Sequence, residues 1–148
     1  MIDPVTHLTE LVRLDNKTSD HVALQFNNVW LSRYPKPVSV TYDNGTEFTG
    51  SAFQKLLAEN HITPRPTTVK NPQANSICER MHQVVGSTLR TMTRLANATG
   101  ITSGKVMVDT ALSNCMYAIR ASLHSGLKAT PGSLVFGRDM LLDPKSNK

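Results

Sequence analysis

The sequence predicts an α/β domain, because segments with the two-residue period of strands alternate along the chain with segments of helical period. With 148 residues, the chain is long enough for one domain with a hydrophobic core and short for two. Its composition, 39% hydrophobic and 18% charged residues, is that of a globular protein rather than of a disordered chain. We therefore expect a single domain in which strands and helices share a core.

The first predicted strand covers residues 8–14, where the sequence LTELVRL alternates between two faces. One face carries Leu8, Glu10, Val12 and Leu14. Just before this strand, Asp3 and Pro4 are typical of a turn, which leaves only a short extended stub at the start of the chain. The first segment is therefore expected to be a hairpin.

The first predicted helix begins at a cap formed by Thr18 or Ser19. Apolar residues then follow at helical spacing: Val22, Ala23, Phe26, Val29 and Trp30. The helix must end by Tyr34, because proline occupies positions 35 and 37.

A second strand is predicted over residues 38–42, with Val38, Val40 and Tyr42 on one face. It ends at the sequence DNG, a strong turn signal that begins with Asp43. We expect a loop over residues 44–50 and then a short amphipathic helix over 51–59, SAFQKLLAE.

The second half of the chain is predicted to be mainly helical. Residues 62–69 contain two prolines and suit an edge strand. Asn71 and Pro72 then supply an N-cap and a first helical residue. The apolar positions of this helix are Ile77, Met81, Val84, Val85, Leu89, Met92 and Leu95. A last helix is predicted over about residues 105–123.

The composition excludes several classes of protein. No apolar run approaches the roughly 18 residues of a membrane span, and the N-terminus does not have the pattern of a signal peptide. Cys78 and Cys115 have neither metal-ligand spacing nor a disulfide framework, so we expect both to be small buried residues in a reducing compartment.

The net charge of +5 and the isoelectric point near 9.5 favour a polyanionic partner, because lysine and arginine that face phosphates release condensed counterions on binding. The charge is modest, and the sequence contains no dense run of basic residues that would indicate a tail or a patch.

Two acids stand at positions where a carboxylate could act chemically. Asp43 follows a strand and opens a turn, so it is either a turn residue or a metal ligand. Glu79 lies on the helix that begins at Asn71, on the side away from the apolar stripe. Its neighbours at helical spacing are His82, Gln83, Gly86 and Arg90. That polar face is either a solvated surface or part of a site, and 35 residues separate the two acids.

This spacing and its flanking residues resemble the catalytic core of retroviral and gypsy-type retrotransposon integrases. The resemblance is carried by DNGTEF after the strand, NPQAN at the start of the helix, ER at Glu79, and AIRASLHSGLKATPGSLVFGRD further on. It covers residues 1 to about 142. It implies a ribonuclease-H-like fold with a mixed sheet flanked by helices. The implied activity is that of a transposable element's DNA integration enzyme, which trims 3′ ends of element DNA and joins them to target DNA.

The resemblance also implies which residues carry the chemistry. Asp43 and Glu79 match two of the three catalytic acids, which hold Mg²⁺ or Mn²⁺. Two such ions roughly 3.5–4 Å apart can activate the attacking oxygen and stabilise the leaving oxygen. Carboxylate oxygens suit these hard cations.

Further residues match positions that meet DNA in the family. These positions are Lys70, Asn75, His82 and Gln83, each of which could equally face solvent. Lys70 precedes the helix and could contact a phosphate near its N-terminus.

The sequence departs from the family at the first catalytic aspartate. Asp3 would complete a set of three acids, but its surroundings, MIDPVTH, resemble the end of the family's second strand. We therefore interpret Asp3 as a turn residue and as the least favoured candidate for the third acid. The central first strand and its aspartate then have no counterpart, and the pairing between the first hairpin and strand 38–42 is lost. The expected arrangement is an N-terminally incomplete core over residues 1–142 and a tail over 143–148.

Three functional hypotheses follow. The first is an integrase-type polynucleotidyl transferase core that is inactive as this chain because one acid is missing. The second is a relict or co-opted domain that binds nucleic acid or protein without catalysis. The third is an unrelated α/β binding module. For the first, the resemblance implies element and target DNA as partners, homo-oligomers in the full-length protein, a nuclear location and no membrane association.

Overall fold

The computed structural model describes residues 1–67, 72–99 and 104–140, except for the side chains of residues 72–75, 77 and 96–99. The strands and helices in chain order are α1 (Ser19–Phe26), a π-helical segment (Asn27–Leu31), β1 (Ser39–Tyr42), α2 (Thr46–Thr49), α3 (Ser51–Glu59), β2 (Thr63–Pro66), α4 (Pro72–Thr99), α5 (Gly104–Ala121) and α6 (Pro131–Phe136). They form two compact units, one of residues 12–80 and one of residues 1–11 with the chain from residue 81 onward.

The core of unit 12–80 is a cluster of aromatic and branched side chains. Its buried members are Val22, Ala23, Phe26, Tyr42, Phe53, Leu57 and Ile62. Helix α1 begins where the Thr18 hydroxyl accepts the His21 N–H, as the sequence predicts. The Phe53 N–H donates to Ser19 Oγ, which joins the starts of α1 and α3. The apolar faces of α1 and α3 therefore pack together with β1 in one core.

The sheet of this unit is a parallel pair in which β1 lies beside β2. Thr63 N–H donates to Val38 O, and Thr67 N–H donates to Tyr42 O. Between them, prolines at positions 64 and 66 have no N–H to donate, so they are tolerated only because β2 is an edge strand. The predicted edge strand is confirmed. Val38, which the alternation places on one face with Val40 and Tyr42, lies before the first ladder pair and is 85% exposed.

The other unit consists of the N-terminal segment and the chain from residue 81, which includes most of α4 and the later helices. Residues 8–14 do not form the predicted strand: Ile2 and Thr9 make an isolated antiparallel bridge. The pairing runs from Asp3 and Leu8 to Met1 and Glu10, and the next N–H, that of Leu11, donates to Met116 Sδ. The hairpin is therefore shorter than predicted.

A buried ion pair joins the N-terminal segment of this unit to α5. Arg120 of α5 donates to Glu10 Oε1 at 2.6 Å, and the Glu10 side chain is 2% exposed. Leu8, Ala111, Cys115 and Ala121 supply the buried apolar surface. Cys115 is thus buried as expected, whereas the expectation for Cys78 is wrong because its side chain is exposed.

The two elements that the sequence analysis missed are short. Helix α2 forms inside the region expected to be a loop over 44–50. Helix α6 begins where the Thr130 hydroxyl accepts the Ser133 N–H, continues through Pro131, and ends at Gly137 in the left-handed region. Across the described part of the chain, no helix is both long and apolar enough to cross a membrane.

Candidate functional site

Asp43 lies directly beyond the end of β1, with its side chain exposed to solvent. Its Oδ1 atom accepts the N–H of Gly45 at 3.0 Å, which closes a tight Asx-type turn. Asn44 donates from Nδ2 to Thr67 O, so the turn is also joined to the residue that follows β2. The Asp43 carboxylate is therefore presented to solvent from a fixed strand end.

An aromatic cluster packs around the last residue of β1 and fixes the strand end. Tyr42, the residue before Asp43, is buried and stacks on Phe48 with ring centroids 5.6 Å apart. Phe53 meets both rings edge-on. Gln54 Nε2 donates to the Tyr42 hydroxyl at 2.9 Å and to Phe48 O at 2.7 Å. These contacts restrain the backbone that carries Asp43.

Glu47 is a second carboxylate beside this turn, and the sequence analysis did not select it. A Cβ atom at Gly45 would lie 2.7 Å from Glu47 Oε2 and 3.0 Å from Asp43 Oδ1. Glycine at position 45 therefore leaves room for both acidic side chains on the same side of the turn. The signal in the sequence was the spacing of Asp43 and Glu47, but acids in the first turn of a helix are common because they complement its dipole.

Glu79 is exposed in the first third of α4. It is the single acid in the sequence of this helix, which also contains three arginines. His82 and Gln83, one turn further along, are exposed as well. The side chains that the sequence analysis assigned to a polar ridge are thus accessible. That Asp43 and Glu79 approach one another stays a prediction.

Two of the predicted DNA-binding residues cannot be placed in this site. Lys70 lies outside the described residues, and the side chain of Asn75 does too. Their roles therefore stay predictions.

Asp3 lies in a turn whose own polar groups occupy its carboxylate. Oδ1 accepts the Val5 N–H, and Oδ2 accepts both the N–H and the hydroxyl of Thr6. Burial alone raises the pKa of Asp3, but these hydrogen bonds outweigh it and hold the pKa below its ordinary value. An ionised carboxylate with both oxygens engaged is suited to stabilising the turn.

The exposed acids of this site are possible ligands for a divalent cation. Among the residues that the structure describes, no three histidine, cysteine or acidic side chains come together as a metal-binding group. Asp43 and Glu79 are exposed carboxylates of the kind that Mg²⁺ binds while it retains several waters. These two residues therefore fit a cation by chemistry and accessibility.

Comparison with known proteins agrees with the resemblance seen in the sequence. Residues 1–72 match the family described as the integrase core domain. A search of curated proteins finds no significant match.

Solved structures of retroviral integrases share the fold. The catalytic core domain of BIV integrase aligns with 22% identity and a TM-score of 0.70, over 92% of this chain and 82% of that one. The HTLV-2 integrase catalytic core, in a trimeric form with magnesium, aligns with 16% identity and a TM-score of 0.71, over 90% and 80%.

A third match is a chain of the simian T-cell lymphotropic virus intasome, solved in complex with PP2A regulatory subunit B56 gamma. It has 15% identity and a TM-score of 0.75, and it covers 96% of this chain but 48% of that one. The chain thus matches the integrase core domain family over residues 1–72 and has the ribonuclease-H-like fold of retroviral integrase catalytic cores.

Proposed function

We propose that this chain is the core of a polynucleotidyl transferase for DNA integration, of the type that processes 3′ ends and transfers strands. The observation that carries the proposal is the Asp43 carboxylate, exposed at a strand end that the aromatic cluster and the Asn44–Thr67 bond hold in place. The match to the integrase core domain family supports the same activity.

Asp43 and Glu79 are the residues proposed to hold Mg²⁺ or Mn²⁺. When bound, such an ion supplies Lewis-acid stabilisation of charge that develops on a phosphodiester. The protein's own contribution is to position the two carboxylates. The turn at Gly45 fixes the Asp43 side chain, whereas the exposed Glu79 on α4 has the rotamer freedom to adjust to a shared ligand.

DNA is the proposed substrate and partner, as both element ends and target. His82 and Gln83 are exposed on α4 and are proposed to contact it, together with Lys70 and Asn75. Since contacts of this kind are mainly with phosphate, binding should tolerate sequence changes and weaken with salt. We expect affinity for a duplex to fall several-fold or more when salt rises from roughly 50 to 200 mM, measured by fluorescence anisotropy. An affinity for the duplex that does not change with salt concentration would favour a protein-binding role.

The assembly and location of the full-length protein are also proposals. The matched HTLV-2 core is trimeric and the third match belongs to an intasome, which supports a homo-oligomer. Integration into host DNA requires access to the nucleus, and we propose a nuclear location.

A second candidate function is a non-catalytic domain that retains binding to nucleic acid or protein. The engagement of Asp3 in its own turn favours it, because the resemblance implies three acids and the two remaining carboxylates would leave one ion without its anchor. We propose accordingly that the chain does not transfer strands when it is supplied alone.

The experiment compares this chain with a version extended upstream of Met1 by the residues that the same DNA encodes. Both are assayed for strand transfer with Mn²⁺ on an oligonucleotide that carries the element end. We expect activity in the extended version alone and its loss in Asp43→Asn or Glu79→Gln. Activity in the short version that disappears in Asp3→Asn would overturn the proposal and make Asp3 the first catalytic acid. Inactivity of both versions, with DNA binding retained, would support the non-catalytic alternative.

A further inference from the structure

Two histidine rings pack against each other in the unit formed by residues 1–11 and the chain from residue 81. His7 lies in the N-terminal turn, and His124 follows α5 at the start of a second turn. Their ring centroids are 4.2 Å apart and the rings are tilted by 58°. This contact joins two segments that are 117 positions apart in sequence. A change in the protonation of either ring therefore affects the packing of both turns.

The backbone holds His7 in a conformation that most residues avoid. Its φ is 60°, in the left-handed region, where a Cβ atom is unfavourable. The His7 N–H donates to Asp3 O at 2.8 Å, and the His7 carbonyl accepts the Thr9 hydroxyl at 3.1 Å. The turn therefore directs the His7 ring toward His124 at an energetic cost, and the ring contact is one interaction that offsets it.

His124 is held in its turn by an interaction that its neutral form alone can make. The Leu127 N–H donates to the His124 carbonyl at 3.1 Å and also to Nδ1 at 3.3 Å, and Nδ1 can accept it only when that nitrogen has no proton. The His124 backbone also pairs with Ala129 and accepts the N–H groups of Leu127 and Lys128. A proton on Nδ1 would place two N–H groups opposite each other and remove the ring's bond to the turn.

The surroundings contain little charge that could compensate a second proton. Asp3 favours protonation of His7, and His124 opposes it. The rings border a cleft of about 240 Å³ whose other walls come from α4, α5 and Pro131. The single other titratable group among its lining residues is the buried thiol of Cys115. Burial, followed by the neighbouring His124, lowers the pKa of His7 despite Asp3.

We propose that His7 and His124 form an acid-sensitive clasp. With both rings neutral, the stack and the Leu127 bond hold the N-terminal turn against the turn over residues 124–129. Protonation of both rings on acidification would place two positive charges about 4 Å apart, and a proton on His124 Nδ1 would remove its contact with the Leu127 N–H. The clasp then opens, and both turns and the adjacent cleft become accessible. This device is independent of the proposed catalytic acids.

Hydrogen exchange measured by mass spectrometry between pH 7.5 and 5.5 tests the clasp, after correction for the intrinsic pH dependence of exchange. We expect protection of peptides that cover residues 2–9 and 124–129 to fall roughly tenfold on acidification, the change that one pKa unit of coupling produces. In His7→Phe, which keeps an aromatic ring without the charge, the loss should be clearly smaller. The matched control is His61→Phe, because His61 also has positive φ but is exposed in unit 12–80.

A second measurement uses the wild-type protein and does not depend on the folding of a variant. NMR titration of the wild-type imidazole protons should give a pKa of His7 below the ordinary value for histidine. Unchanged protection in both segments, an equal loss in wild type and His7→Phe, or a His7 pKa at or above the ordinary value would each overturn the clasp.

Discussion

The two units of this protein are stabilised by different kinds of interaction. In unit 12–80, four aromatic rings and the aliphatic residues around them form a core that surrounds the base of Asp43. In the unit of residues 1–11 and the chain from residue 81, the buried apolar side chains of the described residues are mostly small, and the ion pair between Glu10 and Arg120 lies among them. Asp43 therefore rests on apolar packing, whereas the other unit buries a charged pair among small side chains.

The largest effect is expected from a cavity in the aromatic core. Phe53 is 2% exposed and contacts the rings of Phe26, Tyr42 and Phe48. Phe53→Ala should lower the free energy of unfolding by about 3–5 kcal/mol, measured by urea denaturation. Leu24→Ala is the control, since Leu24 is exposed on α1 and its truncation should change stability little. A loss below about 1 kcal/mol in Phe53→Ala would contradict the assigned core.

Breaking the buried ion pair should have the next largest effect. Arg120→Met removes the guanidinium that bonds Glu10 Oε1 while the carboxylate stays buried, and should cost about 3 kcal/mol of stability. The double variant Glu10→Leu with Arg120→Met removes both charges and should recover most of that loss. If the single and double variants were equally unstable, the cost would come from lost packing rather than from the buried charge that remains at Glu10.

The smallest effect is expected at Asp3 and depends on pH. Its pKa is lower in the folded protein than in the unfolded chain, so its stabilisation is present above about pH 4 and is lost as pH falls through the folded value. Asp3→Asn should cost about 1 kcal/mol or less at pH 7. At a pH below the folded pKa of Asp3, wild type and variant should converge in thermal melts. A variant that stays less stable by the same amount at every pH would show that the charge of Asp3 is not involved.

Local signals in the sequence predicted the elements of unit 12–80 well. Thr18 as a cap, the prolines after Tyr34 and the DNG turn place α1 and β1 correctly, because each acts through neighbouring backbone groups. Helix α4 was predicted to begin at Pro72, and it does. Even so, the π-helical segment Asn27–Leu31 carries no local signal that would have revealed it.

The errors lie where distant residues decide the structure. Residues 8–14 alternate like a strand, but in the structure they carry the isolated bridge between Ile2 and Thr9, and the Leu11 N–H donates to Met116, 105 positions away. Val38 alternates in step with Val40 and Tyr42, yet it lies before the first ladder pair and is exposed. Helix α6 is different, because Thr130, Pro131 and Gly137 were available as signals and were not used.

The candidate site was predictable in part. The positions of Asp43 and Glu79 came from their spacing and flanking residues, and both side chains are accessible. The presence of the Glu47 carboxylate beside Gly45 depends on helix α2, which the sequence analysis treated as a loop. Side-chain hydrogen bonds such as those of Asp3 require coordinates, although the turn itself was expected from Asp3 and Pro4.

Direct measurement of Mn²⁺ affinity tests the central claim, which is that Asp43 and Glu79 share one divalent cation. Free Mn²⁺ can be followed by electron paramagnetic resonance in the wild-type chain and in single variants, without any requirement for catalysis. Asp43→Asn and Glu79→Gln should each weaken binding about tenfold or more, as loss of a ligand does. Asp3→Asn and Glu59→Gln, which change a turn acid and an exposed helical acid, should leave it within about twofold. Unchanged affinity in Asp43→Asn and Glu79→Gln, or an equal loss in Asp3→Asn, would contradict the claim.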